Sequence, residues 1–107
     1  MFHLELKTDD YPWETSWRIK DENGDILFGK GEYKEELTIF NYEYCLPVGC
    51  YDFVIDDSYG DGISYGDEYY DENGYYKGSV YGHKEVFDGG IFQFNANERF
   101  CGEDVCA

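Results

Sequence analysis

The sequence predicts an all-β fold, an antiparallel, jelly-roll-like β-sandwich of about eight strands, formed by a single domain over residues 1–107. Three observations indicate this class. Short runs alternate apolar and polar residues, and turn signals recur at roughly 8–12-residue intervals. Aromatic residues make up 21% of the chain, which favours strands. No window carries the spacing of an amphipathic helix.

The first strands are predicted from alternation and from one turn signal. Residues 2–8 alternate apolar and polar, as a half-buried strand does. A polar, proline-containing loop follows at residues 9–14. Residues 16–20 and 26–29 then flank an Asn-Gly pair at positions 23 and 24, and such a pair is a strong hairpin signal.

The second half of the chain repeats the pattern in shorter segments. Residues 37–44 and 51–55 alternate again, on either side of a turn that contains two cysteines. An acidic segment, residues 56–67, follows directly, and Asn73-Gly74 marks a second hairpin. The remaining predicted strands are 79–81, 84–87, 91–94 and 99–101.

The charge balance excludes several classes of partner. Twenty-four acidic residues against eight basic ones give a net charge of −16. Nucleic-acid binding needs clustered Lys and Arg, so it is excluded, and binding to anionic lipid is opposed in the same way. No apolar run reaches membrane-spanning length, so no membrane insertion is expected. The first residues carry no secretory signal, and we expect a processed piece of a secreted, extracellular protein.

Four cysteines, Cys45, Cys50, Cys101 and Cys106, predict disulfides. An even number in a small, turn-rich domain favours disulfides over zinc, and disulfides imply an oxidising compartment. Three connectivities are open. Local pairing is favoured because each sequential pair brackets a glycine-containing turn.

The acidic segment 56–67 predicts a calcium site. A hard cation takes six to eight oxygens at about 2.3–2.6 Å, and short carboxylates on a tightly turning, glycine-rich loop supply them. Asp57 and Asp61 are the predicted side-chain ligands, with a backbone carbonyl near Ile63. The alternative is that both aspartates only form turns with nearby N–H groups.

Two further carboxylates are predicted to complete this site. Glu14 lies in the loop 9–14, which a sandwich can place at the same end as residues 56–67, and Asp67 closes the shell. The alternative for Glu14 is a simple bond to backbone. The spacing is not that of an EF-hand, since no bidentate glutamate follows at the required offset.

Aromatic residues near these carboxylates predict a ligand surface. Trp17 alternates with Ile19 and is expected in the core, whereas Trp13 follows a proline in a loop and is expected to be exposed. Aromatic rings stack on sugars or on neighbouring chains. The tyrosines beside the acidic loop, Tyr59, Tyr65 and Tyr69, are predicted to share this role; the alternative is that they cover the edge of a small core.

Catalysis is not expected. The two histidines are isolated, the cysteines are expected to be oxidised, and the sequence shows no Ser-His-Asp or Cys-His arrangement. Paired carboxylates are uninformative in so acidic a chain. We therefore expect a protein that is not an enzyme.

Three motifs together resemble a known module: residues 10–17 (DYPWETSW), 45–53 (CLPVGCYDF) and 57–63 (DSYGDGI). They are similar to a small, cysteine-containing β-sandwich module of secreted, often multi-domain proteins of algae and other aquatic microbes. The resemblance spans most of the chain and implies an accessory, non-catalytic module. Where that family commonly carries cysteine, this chain has Ser64 and Tyr65, and Cys106 is the implied compensating partner of Cys101.

The leading hypothesis is a secreted, calcium-stabilised, non-catalytic binding module for carbohydrate or a cell-surface polymer. Calcium would offset the self-repulsion of residues 56–67, and the exposed aromatic rings would contact the ligand. The alternative is a structural repeat unit of an extracellular fibre or adhesive protein, in which copies of the module pack against one another.

Overall fold

A computed structural model describes residues 1–58, 74–80, 84–90 and 94–102 of the chain. Within these ranges eight strands form two four-stranded antiparallel sheets, which confirms the predicted all-β sandwich. The strands are β1 Phe2–Lys7, β2 Thr15–Lys20, β3 Ile26–Lys30, β4 Ile39–Tyr44, β5 Gly49–Asp57, β6 Tyr75–Val80, β7 Lys84–Gly89 and β8 Asn95–Gly102.

The order of the strands brings distant parts of the chain to one end of the sandwich. One sheet has the order β4-β1-β6-β7 and the other has the order β3-β2-β5-β8. Lys7, the last residue of β1, lies opposite both Ile39 and Tyr75. In the other sheet Thr15, the first residue of β2, lies opposite Asp57, the last residue of β5. Because only seven residues connect β1 to β2, these strand ends meet.

The core lies between the sheets and is built from the inward face of each strand. Phe53 and Ile55 of β5 are fully buried, and so are the apolar residues at alternate positions of β1. The ring of Phe53 stacks on Phe87 with centroids 4.9 Å apart. Trp17 is 2% exposed, which confirms its predicted place in the core.

A buried hydrogen-bond chain crosses this core. The indole Nε1 of Trp17 donates to the hydroxyl of Tyr33 at 2.8 Å, and that hydroxyl lies 2.7 Å from the hydroxyl of Tyr42. Burial raises the pKa of Tyr33 far above its ordinary value, so the phenol stays protonated. Buried polar groups cost free energy unless they are paired, and this pairing lets Tyr33 fill the core from a loop.

The hairpin predicted at positions 23 and 24 joins β2 to β3. Gly24 has a φ of +85°, a conformation that glycine adopts without steric cost. The carboxylate of Asp21 accepts the N–H groups of Asn23 at 2.9 Å and Asp25 at 3.0 Å. The second predicted hairpin, around Asn73, falls partly outside the described residues.

The cysteines do not pair locally, so that expectation is wrong. Cys50 forms a disulfide with Cys101, and the resemblance-based pairing of Cys101 with Cys106 is wrong with it. The reason is the strand order: β5 and β8 are neighbours, and the two cysteines lie directly opposite each other. Cys45 is also disulfide-bonded, with a partner outside the described residues, so disulfides rather than zinc hold these three cysteines.

Helix in the described ranges is confined to one short 3-10 turn, Pro12–Glu14. Nothing in these ranges forms a helix long and apolar enough to cross a membrane. The predicted strands 84–87 and 99–101 lie within β7 and β8, whereas β6 begins at Tyr75, four residues before the predicted strand 79–81. The predicted strand at 91–94 lies mostly outside the described residues.

Candidate functional site

The loop between β1 and β2 ties the two sheets together at one end of the sandwich. On one side the N–H of Leu37 donates to the carbonyl of Asp9 at 3.1 Å, and the N–H of Thr8 donates to the carbonyl of Thr38 at 3.0 Å. On the other side the N–H of Ser58 donates to the carbonyl of Glu14 at 3.0 Å. The loop therefore reaches both the start of β4 and the end of β5.

Three buried carboxylates lie on adjoining segments of this region, which we call the acidic end. Asp9 is 1% exposed, Asp57 is 2% exposed and Glu14 is 8% exposed. Acidic side chains are almost never fully buried unless they are paired or coordinate a metal. Asp9 accepts a backbone N–H, and Glu14 and Asp57 also have partners, yet burial of three carboxylates on adjoining segments places much negative charge at this end.

A local turn produces this burial. The carboxylate Oδ1 of Asp9 accepts the N–H of Tyr11 at 2.9 Å, and Pro12 then opens the 3-10 turn, where proline fits because its φ is already set and its missing N–H is not needed. The N–H of Glu14 donates to the carbonyl of Tyr11 at 3.1 Å. The turn points Glu14 inward while Trp13 is 60% exposed.

The surroundings of Asp9 disfavour its charged form. Burial is the main cause that raises the pKa of Asp9 from 3.8 to about 6; the hydrogen bond from the Tyr11 N–H opposes the rise, and the nearby carboxylates of Asp10 and Asp57 add to it. Like charges that share a low-dielectric site disfavour ionisation. A cation at this end would remove the repulsion.

A neutral oxygen also lies at the acidic end. Thr15 is opposite Asp57 in the β2–β5 pairing, and directly opposite residues present their side chains on the same face, about 5 Å apart at Cβ. Thr15 is 1% exposed, and its hydroxyl has no hydrogen-bond partner in the part of the chain described. By contrast, the hydroxyl of Thr8 donates to the carbonyl of Glu35 at 2.7 Å.

The structure brings together the two predicted metal ligands that it describes. Glu14 and Asp57 lie at the same end, as the sequence predicts, because the residue after Asp57 bonds to the carbonyl of Glu14. Among residues 1–58, 74–80, 84–90 and 94–102, no three His, Cys, Asp or Glu side chains form a group that could hold a metal ion. The other predicted ligands, Asp61, Ile63 and Asp67, lie outside these ranges.

Asp9 is the buried carboxylate that the sequence analysis missed. Its position just after a strand, in the pair Asp9-Asp10, is the one signal that could have suggested it. That signal is weak, because aspartate is common in turns and usually bonds only to local backbone. Its burial depends on the packing of the loop against residues 37–38, which no local pattern encodes.

Of the aromatic residues predicted to bind a ligand, one lies in the described ranges and three lie outside them. Trp13 is exposed, as predicted, and its ring meets that of Tyr11 edge to face, with centroids 5.7 Å apart and an interplanar angle of 88°. Phe94 is 61% exposed, and its carbonyl accepts the N–H of Asp57 at 2.8 Å. Sequence analysis did not find Phe94 or Tyr11. The predicted tyrosines Tyr59, Tyr65 and Tyr69 lie outside the described residues.

A cavity of about 300 Å³ opens at the same end of the other sheet. The hydroxyl of Tyr75 donates to Glu5 Oε2 at 2.5 Å, and the ammonium of Lys77 lies 5.2 Å from the Tyr75 ring centroid. The cavity is lined by Gly74, Tyr75, Tyr76, Lys77, Asp88, Gly89 and Gly90.

The acidic end thus combines buried carboxylate and hydroxyl oxygens with exposed aromatic rings on the same and adjoining segments. Oxygen donors of this kind suit hard cations, and exposed rings suit stacking contacts. Comparison of the chain with known proteins finds no matching family model, no matching curated protein and no matching solved structure.

Proposed function

We propose that this protein is an extracellular, non-catalytic binding module in which Ca²⁺ stabilises the acidic end and the exposed aromatic residues bind carbohydrate or a cell-surface polymer. The observation that carries the proposal is the burial of Asp9, Glu14 and Asp57 on adjoining segments. A bound divalent cation explains why a chain with a net charge of −16 would bury carboxylates together.

Calcium fits this donor set better than other metals. The described donors are carboxylates and a threonine hydroxyl, and hard oxygen ligands select Ca²⁺ or Mg²⁺ over transition metals. Calcium accepts six to eight ligands in flexible geometry, whereas Mg²⁺ demands a near-ideal octahedron. In the proposal Asp57, Glu14 and Asp9 provide charge, and the predicted ligands at residues 61, 63 and 67 complete the shell.

The proposed role of calcium is to hold the loop that presents the aromatic residues. Trp13 directly precedes Glu14, and the carbonyl of Phe94 is bonded to Asp57. Fixing the two carboxylates therefore fixes the backbone on which both rings are mounted. Pre-organised contacts lose less entropy on binding than mobile ones, so calcium would strengthen ligand binding without touching the ligand. The disulfides are compatible with an extracellular location.

The second candidate function is the self-associating structural unit. It is favoured by exposed apolar residues on two edge strands, Ile26 in β3 at 62% and Ile39 in β4 at 51%. Exposed apolar edge strands promote pairing between chains. A mass that rises with concentration in sedimentation experiments would favour this function over a monomeric binding module.

Calorimetric titration of calcium into chelator-treated protein tests the leading proposal. We expect binding to the wild-type protein, and affinity weakened by at least about tenfold in Asp57→Asn and in Asp9→Asn, because each change removes one charge from the ligand set. Asp25→Asn, an exposed residue of the β2–β3 turn, is the matched control and should bind as the wild type does.

Two outcomes would contradict the proposal. One is the absence of calcium binding by wild-type protein whose circular dichroism shows it to be folded. The other is equal affinity in the Asp57, Asp9 and Asp25 variants, which would move calcium away from the acidic end. Magnesium in the same titration tests selectivity, and the proposal predicts weaker binding.

A further inference from the structure

We propose that Tyr11, Trp13 and Phe94 form one contact surface for a cationic polysaccharide, one whose sugar units carry amino groups. This inference rests on the proposed binding function and specifies its ligand. It adds Phe94 and Tyr11 to the site, and it states the charge of the polymer, which the sequence analysis left open.

The three rings belong to segments that are bonded to the same strand end. Phe94 is 61% exposed, Trp13 is 60% exposed and Tyr11 is 42% exposed. The carbonyl of Phe94 accepts the N–H of Asp57, and the N–H of the next residue, Ser58, donates to the carbonyl of Glu14, which follows Trp13. Trp13 and Phe94 therefore flank the end of β5 from its two sides. We call this surface the aromatic rim.

The aromatic rim is built to present rings rather than to bury them. Trp13 is carried by the 3-10 turn, and the edge-to-face contact with Tyr11 holds its plane. The core buries many other aromatic rings. The exposure of these three rings is therefore not explained by a core that fails to bury aromatic residues. Flat rings of fixed orientation suit the C–H faces of sugar rings, because such faces are apolar and the sugar hydroxyls remain at the edges.

Charge selects the kind of sugar. The rim adjoins the segments that carry Asp9, Glu14 and Asp57, and with Asp61 and Asp67 the proposed calcium shell has five carboxylates, more negative charge than one Ca²⁺ compensates. Arg18, a basic residue of β2 near this end, is ion-paired with Asp56. The field at the rim is therefore negative. A negative field attracts ammonium groups and repels uronic acids or sulfated sugars, and aromatic faces add cation–π attraction.

Oligosaccharides that differ only in charge test the inference. The probes are a glucosamine oligomer and an N-acetylglucosamine oligomer of the same length, titrated into calcium-loaded wild-type protein at about pH 6 and low salt, where the amino groups are charged. We expect the glucosamine oligomer to bind at least about tenfold more tightly, and added salt to remove most of that advantage.

Variants locate the binding surface. Trp13→Ala and Phe94→Ala should each weaken glucosamine binding by about three- to tenfold. Trp13→Phe, which keeps a ring, should weaken it less. Val48→Ala changes an apolar residue that is 71% exposed at the opposite end of the sandwich, and should bind as the wild type does. Calcium titration of each variant confirms that the acidic end is intact.

Three results would overturn the inference. Equal or tighter binding of the N-acetylated oligomer would refute the charge preference. Unchanged affinity in both the Trp13 and Phe94 variants would place binding elsewhere. Failure of both probes to bind, in protein that still binds calcium, would refute the cationic polysaccharide while leaving the calcium proposal standing. Loss of calcium binding itself is a separate failure, and the titrations in the preceding section detect it.

Discussion

Removing the Cys50–Cys101 disulfide is expected to lower the free energy of unfolding by about 4 kcal/mol. The two cysteines are 51 residues apart, and closing a loop of that size restricts the unfolded chain by roughly this amount in the chain-entropy model. A small domain is stabilised by about 5–15 kcal/mol in total, so the loss is a large share. Urea unfolding of the double variant Cys50→Ala, Cys101→Ala measures it.

The double variant avoids a free thiol that could exchange with the second disulfide. Val48→Ala, two residues before Cys50 and exposed, controls for changes in this region that do not touch the disulfide. A decrease in the free energy of unfolding below about 1 kcal/mol would show that the disulfide does not restrict the unfolded chain as the chain-entropy model requires. The loss matters for function because β8, which the disulfide anchors to β5, begins beside Phe94.

Calcium-free protein is expected to be more stable at about pH 5 than at about pH 7.5. Burial and neighbouring carboxylates raise the pKa of Asp9 from 3.8 to about 6. The folded state therefore binds the proton more tightly than the unfolded state does. This contribution to stability is complete below about pH 4 and is lost as pH rises through 6. A shift of this size corresponds to at most about 3 kcal/mol.

Calcium should reverse the sign of this pH dependence. Metal ligands bind in the deprotonated form, so protons compete with Ca²⁺ and the calcium-loaded protein should be less stable at pH 5 than at pH 7.5. Urea unfolding at both pH values, with calcium and with chelator, measures the two slopes. In calcium-free protein, Asp9→Asn should make the free energy of unfolding nearly independent of pH over this range. Asp25→Asn should leave the pH dependence of the wild type unchanged. An unchanged slope in Asp9→Asn would show that another group carries the effect.

The fold class can be predicted from local patterns because a strand with one buried and one exposed face alternates apolar and polar residues. The fully buried residues of β1 occupy every second position, and the turn uses Gly24 at a positive φ that glycine adopts without steric cost. Trp17 and Trp13 were also assigned correctly, one from its place in an alternating strand and the other from its place in a loop. Each of these predictions depends on residues close together in the chain.

Features that depend on strand order could not be predicted in the same way. The pairing of Cys50 with Cys101 requires that β5 and β8 be neighbours, and local spacing favoured the wrong partners. Tyr33 reaches the core from a loop, where no periodicity marks it. Asp9 and Phe94 join the site only because backbone hydrogen bonds bring their segments to the end of β1 and of β5.

Prediction of the candidate site was accordingly partial. The position of Glu14 beside the end of β5 was expected, since a sandwich places alternate loops at one end. Metal binding stays a prediction for all the predicted ligands, Glu14, Asp57, Asp61, Ile63 and Asp67, and the identity of the cation is a chemical inference from oxygen donors. The proposal of a cationic polysaccharide draws on the exposed fractions of the rings and on the ion pair of Arg18, which only the structure provides.

Thermal unfolding of the wild-type protein with saturating calcium and with excess chelator tests the central claim most directly. A ligand that binds only the folded state, at about a hundred times its Kd, stabilises it by about 2.7 kcal/mol. For a domain of this size the account predicts a midpoint about 10 °C higher or more with calcium. An unchanged midpoint in protein that unfolds cooperatively would contradict the claim that calcium holds the acidic end.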